Sequence, residues 1–291
     1  MVGSIKHSFG DRITLIIINI IIVFAGLVFL YPFWQTVVIS FSDPTTATTL
    51  GINLWPTDFS GYSYNYVLTM NSLYIGFANS LFRTVVGTSI SLTVTYFAAY
   101  ALARREMPFK GILTFMVLFT MFFSGGLIPT YLTIKELGLL NTRWALILPN
   151  LISAWNVVIA RNFIEALPAE LENAAEIDGA GPLRILFEIM IPLSKPILAV
   201  LTLWIAVWYW NDWFEALIYC SDAQKTVLQL FLRRMLIDTS DTMNFNTQRA
   251  IISPISIRCA AIIVTTLPIA CVYPFLQKFF MKGILIGAIK G

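Results

Sequence analysis

An all-α, polytopic membrane protein with six transmembrane helices is the fold class this sequence predicts, and three observations predict it. Hydrophobic residues make up 57% of the 291 residues and charged residues only 12%, against roughly 25% charge in soluble domains. Mean hydropathy is +0.76. The apolar residues gather into six runs, each about as long as a helix must be to cross a hydrocarbon core of roughly 30 Å. So few charges cannot cover a water-facing surface, which excludes a soluble enzyme, a disordered tail and a disulfide scaffold. The 19 basic and 16 acidic residues leave a net charge of +3, too slight a bias for a nucleic-acid partner and readily placed in the loops of a protein whose solvent is the lipid bilayer.

The runs justify themselves in order. Residues 1–12, with Lys6, His7 and Arg12, are the expected cytoplasmic N-terminus, and residues 13–291 a single transmembrane domain. The first run, 13–39, follows a basic flank as a secretory signal would. It is too long for one and ends in Tyr31-Pro32-Phe33-Trp34 instead of a small-residue cleavage site, so it reads as a retained span. Residues of about 41–76 form an external loop; 41–74 hold no Lys or Arg, as expected for the outer side. Further spans cover 77–103, 112–134, 144–164, 197–219 and 258–280, which puts both termini in the cytoplasm. With that orientation the cytoplasmic segments hold 11 of the 19 basic residues. A second external loop, about 221–257, carries Lys225, Arg233, Arg234 and Arg249, which a long loop tolerates.

Catalytic and metal chemistry has little material. His7 is the single histidine, and Cys220, Cys259 and Cys271 show no metal-ligand spacing, so no catalytic residue and no metal site is expected. In the second span Thr84, Gly87, Thr88, Ser91, Thr95, Ala98 and Ala99 recur at helical spacing. Such a stripe either lets helices pack closely or lines a polar path.

The segment 167–196 is too charged to span and too apolar for a plain loop. Pro168 suits a first helical turn, Glu170 and Glu172 favour the positive end of the helix dipole, and Gly179 supplies a stop. Leu171, Ala174, Ala175 and Asp178 share one face, suited to close approach by another protein. Asp178 is placed to cap a second helix running to Ile191, which Pro192 and Pro196 would end. Two short helices joined by a glycine turn make a cytoplasmic knob.

This segment resembles the signature loop of importer permeases of the ATP-binding-cassette superfamily: Glu-Ala-Ala, three residues, Gly, nine residues, Ile, one residue, Leu-Pro. Those places hold Asn173, Ala174, Ala175, Gly179, Ile189, Ile191 and Pro192. Asn173 departs from the glutamate and Ile191 from the leucine; Glu172 and Glu176 are candidates to replace the missing charge. The resemblance covers nearly the whole chain and runs to the carbohydrate, maltose-type branch, through Phe77-Ala78-Asn79-Ser80 and 98–104. Ser124-Gly125-Gly126, Leu137-Gly138-Leu139 with Asn141-Thr142, and 282–291 are similar to permeases for oligosaccharides such as alginate or pectin fragments.

The resemblance implies a type I importer permease in a bacterial cytoplasmic (inner) membrane, with Leu171, Glu172, Asn173, Ala174, Ala175, Glu176, Asp178 and Gly179 forming the coupling site for an ATPase. It implies a second, different permease subunit, two cassette ATPase subunits that bind ATP and Mg, and an extracytoplasmic solute-binding protein. No G-x-x-x-x-G-K-[ST] loop occurs in this chain, so ATP hydrolysis falls to separate subunits and the chain itself needs no cofactor. A family loop that enters the binding protein corresponds by position to 238–248, with Asp238, Asp241, Asn244 and Asn246; Arg233 and Arg234 either meet a carboxylated ligand or the binding protein, or form a solvated face.

Span five carries Trp204, Trp208, Asn211 and Glu215 at helical spacing, with Trp210 beside them. Aromatic platforms next to amides and acids suit sugar rings and their hydroxyls, whereas tryptophans near a membrane boundary also form an interfacial belt. Asn79 and Asn156 are further path candidates, with packing hydrogen bonds as the alternative. The expected function is import of oligosaccharides by an ATP-driven, binding-protein-dependent system. Rivals are an importer for another solute, an ion-driven secondary transporter, which would need ion ligands at depth and no docking knob, and, more remotely, a membrane enzyme.

Overall fold

The computed structural model describes residues 9–47, 51–56, 58–104, 106–237 and 255–271. Among them there are helices and no strand, with one isolated bridge between Ser42 and Phe59. The helices are α1 (Phe9–Ser40), α2 (Tyr62–Leu68), α3 (Asn71–Ala103), α4 (Lys110–Phe122), α5 (Leu127–Glu136), α6 (Ala154–Glu165), α7 (Ala169–Ile177), α8 (Pro182–Leu193), α9 (Lys195–Asn211), α10 (Phe214–Tyr219), α11 (Leu228–Ile237) and α12 (Ile255–Cys271). They fall into two compact units: Met1–Met70 with Met235–Val264, and Asn71–Arg234 with Thr265–Gly291.

In the first unit, α1 is apolar all round, and Ile20, Phe24, Leu27 and Phe29 lie open, as a lipid-facing helix requires. The chain after it is held by stacking of Phe41 on Phe59 and by a hydrogen bond from the Trp34 indole to the Leu54 carbonyl, 3.1 Å. A hydrogen bond also joins Ser40 Oγ and Tyr64 Oη at 2.8 Å.

The second unit is built around α3, with α6 and α9 packed on it. Its core holds Tyr96, Ala99, Val157, Ala160, Leu201 and Tyr209, and continues beneath the knob through Ala175, Ile185 and Met190. Of the small residues of the second span, Ala99 and Gly87 are used in this packing: Ala99 is fully covered, and Gly87 lies under the Tyr209 ring.

Several spans depart from straight helices. Among the described residues only α1 and α3 are long and apolar enough to cross a membrane alone; α4 with α5 and α8 with α9 form pairs bent by 114° and 79°. The expected run 112–134 is broken at Ser124-Gly125-Gly126, where Phe123 is extended and Gly126 has φ of +88°. The run 144–164 is α-helical only from Ala154: Arg143–Leu146 is a 3₁₀ turn, and Pro149 has no N–H to donate. The run 197–219 starts at Lys195 and is interrupted at Asp212 and Trp213. Of the run 258–280, the part after Cys271 lies outside the described residues, as do the motif residues 282–291. Neither segment expected as an external loop is plain loop. The first contains α2 and ends where α3 begins, at Asn71; the second contains α11, whose Leu228, Leu230 and Phe231 are buried.

The Gly87 contact gives a direct test. A Cβ there would stand 2.8 Å from the Tyr209 ring, which is anchored by its hydroxyl to the Ile147 carbonyl at 3.2 Å and cannot easily yield. Gly87→Ala is expected to destabilise the protein by about 1–3 kcal/mol, read as a lower melting temperature in detergent, whereas Gly111→Ala, where a Cβ meets nothing, should leave it unchanged.

Candidate functional site

In the N-terminal half of α3, Arg83 is only 1% exposed. A guanidinium in such a place needs partners for all its donors, and it has them. Nε donates to the Leu146 carbonyl at 2.6 Å, Nη1 to the Asp212 carbonyl at 3.0 Å, and Nη2 to Glu215 Oε2. The Asp212 carboxylate lies 2.8 Å from Nη1, and the rings of Trp208 and Tyr209 stand 5.5 and 5.4 Å from the guanidinium carbon. One side chain thereby holds both sides of the interruption between α9 and α10, together with the turn that leads to α6.

Beside this cluster lies a cavity of about 720 Å³. Trp204 and Trp208 of α9 and Trp155 and Asn156 of α6 face it, with Ser91 of α3 and Asn150. Among the described residues that line it none is charged. Indole surfaces beside amides and hydroxyls match a ligand with apolar ring faces and a hydroxyl rim.

The structure thus brings Asn156, Trp204 and Trp208 together and gives the other path candidates different surroundings. Asn79 is buried, its amide donating to the carbonyls of Gln224 and Thr226 at 2.8 and 3.0 Å and accepting from Arg143 at 3.1 Å. Trp210 is buried edge-on against Phe77. Asn211 donates to the Val207 carbonyl and lines a second hollow, shared with Trp204 and Trp208. Glu215 is buried on Arg83, outside the cavity lining. Arg83, Asn150 and Trp155 were not singled out by sequence reasoning. For Arg83 the signal was present: a lone charge inside an apolar run marks a functional residue by default.

At the other end of α3, α7 closes in a Schellman turn. Gly179, with φ of +79°, donates to the Glu176 carbonyl, and Ala180 to that of Ala175. Asp178 ends α7 instead of capping α8, which starts at Pro182 behind Gly181. Pro192 lies within α8; the bend falls at Ser194, whose hydroxyl accepts from Tyr96 at 2.7 Å. A five-residue π-helical stretch, Leu186–Met190, interrupts α8.

The knob's two faces are not those expected. Ala175 is 8% exposed and packs into this chain's own core, Glu176 pairs with Arg104 at 2.6 Å, and Glu172 is partly covered. Asn173, Ala174 and Asp178 are open, Leu171 is half-open, and the outward face is led by Ile177, 87% exposed, with Leu183 of α8 at 70%. Nearby, burial pushes the Glu165 carboxyl up, but bonds from Lys110 and Arg161 outweigh it and hold it below the ordinary range. In α11, Arg233 lies over the Trp213 ring at 4.0 Å and Arg234 is exposed; Asp238, Asp241, Asn244 and Asn246 lie outside the described residues.

Residues 92–286 match the family described as "Binding-protein-dependent transport system inner membrane component". Protein LplC of Bacillus subtilis is 42% identical, covering 91% of each chain. The polygalacturonan/rhamnogalacturonan transport system permease protein YtcP of the same organism is 40% identical, covering 95% of this chain and 98% of its own. The structure is similar to a chain in the crystal structure of a bacterial ABC transporter involved in the import of the acidic polysaccharide alginate, with a TM-score of 0.89, 32% identity and coverage of 95% and 100%.

The buried cluster makes a stability prediction. Arg83→Met leaves Glu215 buried and Asp212 part-buried without their cation and is expected to cost about 3–5 kcal/mol, seen as loss of folded protein in detergent. Arg234→Met, on an exposed side chain, should leave stability unchanged.

Proposed function

The chain belongs to the binding-protein-dependent transport system inner membrane components, and from that premise we propose that it is one of two different permease subunits in an ATP-driven importer of oligosaccharides, including uronate-containing ones such as pectin or alginate fragments. The observation that carries the cargo class is the cavity: three indoles, two amides and hydroxyls, with no charge among the described lining residues. The cargoes named for YtcP and for the alginate importer agree with that chemistry.

In this reading both termini and the knob face the cytoplasm. Two cassette ATPases bind ATP and Mg, and one docks on the knob through Ile177, Ala174, Asn173 and Leu183. An extracytoplasmic binding protein delivers sugar on the opposite side, near Arg234 and the segment with Asp238, Asp241, Asn244 and Asn246. The knob is tied to the residue that follows α3 by the Arg104–Glu176 pair and joined through Ser194 to α9, so ATPase closure moves the wall of the cavity together with the knob.

The test is uptake into vesicles holding this chain, its membrane partner and the ATPases, with loaded binding protein outside. Trigalacturonate should enter only when ATP is inside; uptake that follows an imposed ion gradient and ignores ATP would make the protein a secondary transporter. The chain purified alone should hydrolyse no ATP.

The docking face gives a second test. Ile177→Glu places a charge on the outward face and is expected to reduce ATPase co-purification and sugar-stimulated hydrolysis at least ten-fold, with the chain still inserted and folded. Ala175→Trp instead should lower the yield of folded chain, because Ala175 is packed inside.

A further inference from the structure

Glu215 joins the buried guanidinium to the cavity. Its Oε2 accepts from Arg83, and its Oε1 accepts from Asn150 Nδ2. A carboxylate can only accept, and a primary amide has one donating and one accepting end. The bond to Glu215 uses one N–H of Asn150 Nδ2 and fixes which way the amide is turned, so Oδ1 is the one side-chain acceptor this residue has for the space it lines. Glu215 would otherwise be free to swing, but Arg83 holds it, and Arg83 is itself fixed by the Leu146 and Asp212 carbonyls.

We propose that Asn150 is a specificity-determining residue of the cavity, offering a carbonyl acceptor to a cargo hydroxyl, and that Glu215 and Arg83 are positioning residues that set its orientation without touching cargo. This rests on the saccharide reading and narrows it. Arg83 is spent on two carboxylates, so a cargo carboxylate finds no counter-charge among the described residues of this wall and is disfavoured by the acceptor. The wall reads hydroxyl groups, which neutral and acidic sugars share, and discrimination for a uronate charge lies elsewhere in the importer.

Because indoles line the cavity, occupancy should quench tryptophan fluorescence. The assembled complex of this chain, its membrane partner and the ATPases, without binding protein, is titrated with galactotriose and with trigalacturonate. Asn150→Ala and Glu215→Gln are each expected to weaken binding about ten-fold, the size of one lost hydrogen bond, equally for both sugars. In Glu215→Gln the new side chain can also donate, so the Asn150 amide is free to turn. The double variant should lose no more than either single, because both remove the same contact; a purely structural defect in Glu215→Gln would add to the Asn150→Ala loss. Should Glu215→Gln fail to assemble, Asn150→Ala still decides whether the acceptor matters. Unchanged affinity in Asn150→Ala, additive losses, or a loss confined to trigalacturonate would each overturn the inference while leaving the cargo class intact. Absence of quenching by either sugar in the unmodified complex would overturn the cargo reading and this inference with it.

Discussion

The arrangement of the second unit depends on finding partners for one buried cation. A guanidinium held away from water must have its donors satisfied and its charge offset, and no single neighbouring element of this fold does both. Arg83 is served by a carbonyl from the turn before α6, a carbonyl and a carboxylate at the interruption of α9, and a second carboxylate from the first turn of α10. Satisfying it obliges these segments to converge, and the interruption at Asp212 frees a backbone carbonyl that an unbroken helix would have used internally. The cavity wall follows, since Asn150, Trp208 and Tyr209 each touch the same cluster.

At the opposite end the constraint is conformational. Gly179 occupies left-handed backbone, and the turn it permits satisfies the last carbonyls of α7 while folding α8 away. This explains why a glycine stands at a fixed distance from the two alanines. One of those alanines packs inward and the other stays open, so the small residues serve both the chain's own core and an outer surface. The same division bears on the missing signature glutamate: Glu176 is engaged by Arg104 within the chain, while Asn173 presents a neutral side chain outward.

Helical class, the knob and the aromatic character of α9 were legible in the sequence because each rests on a local pattern. Composition gives the class, a glycine after a nine-residue helix gives the turn, and tryptophan spacing gives the stripe. What the sequence hid depends on neighbours distant along the chain. Asn79 and Asn156 look alike as polar residues within or beside apolar runs, yet one is enclosed by carbonyls from 224 and 226 and the other faces open space. Ala175 and Ala174 are equally small, and only the packing of α7 on the core separates them. The break at Ser124-Gly125-Gly126 did have a local signal, two adjacent glycines in an apolar run, which hydropathy alone reads through. Six spans counted by hydropathy remain a fair account of which segments are apolar, but not of which are straight.

The distance along the chain between Arg83 and its carboxylates bears on biogenesis. Asp212 and Glu215 lie 129 and 132 residues later, so during synthesis α3 reaches the translocon long before either acid has been made. An arginine inside a spanning helix costs up to about 2.5–3.5 kcal/mol on insertion scales, and at ordinary elongation rates the wait lasts several seconds or more. Throughout that interval α3 is an apolar span carrying an unpaired charge, held in place by its apolar remainder or shielded by the insertion machinery. Completion of α9 and α10 removes that liability in one step. A truncated or stalled chain would keep it, and the uncompensated arginine would distinguish unfinished copies from finished ones for membrane quality control.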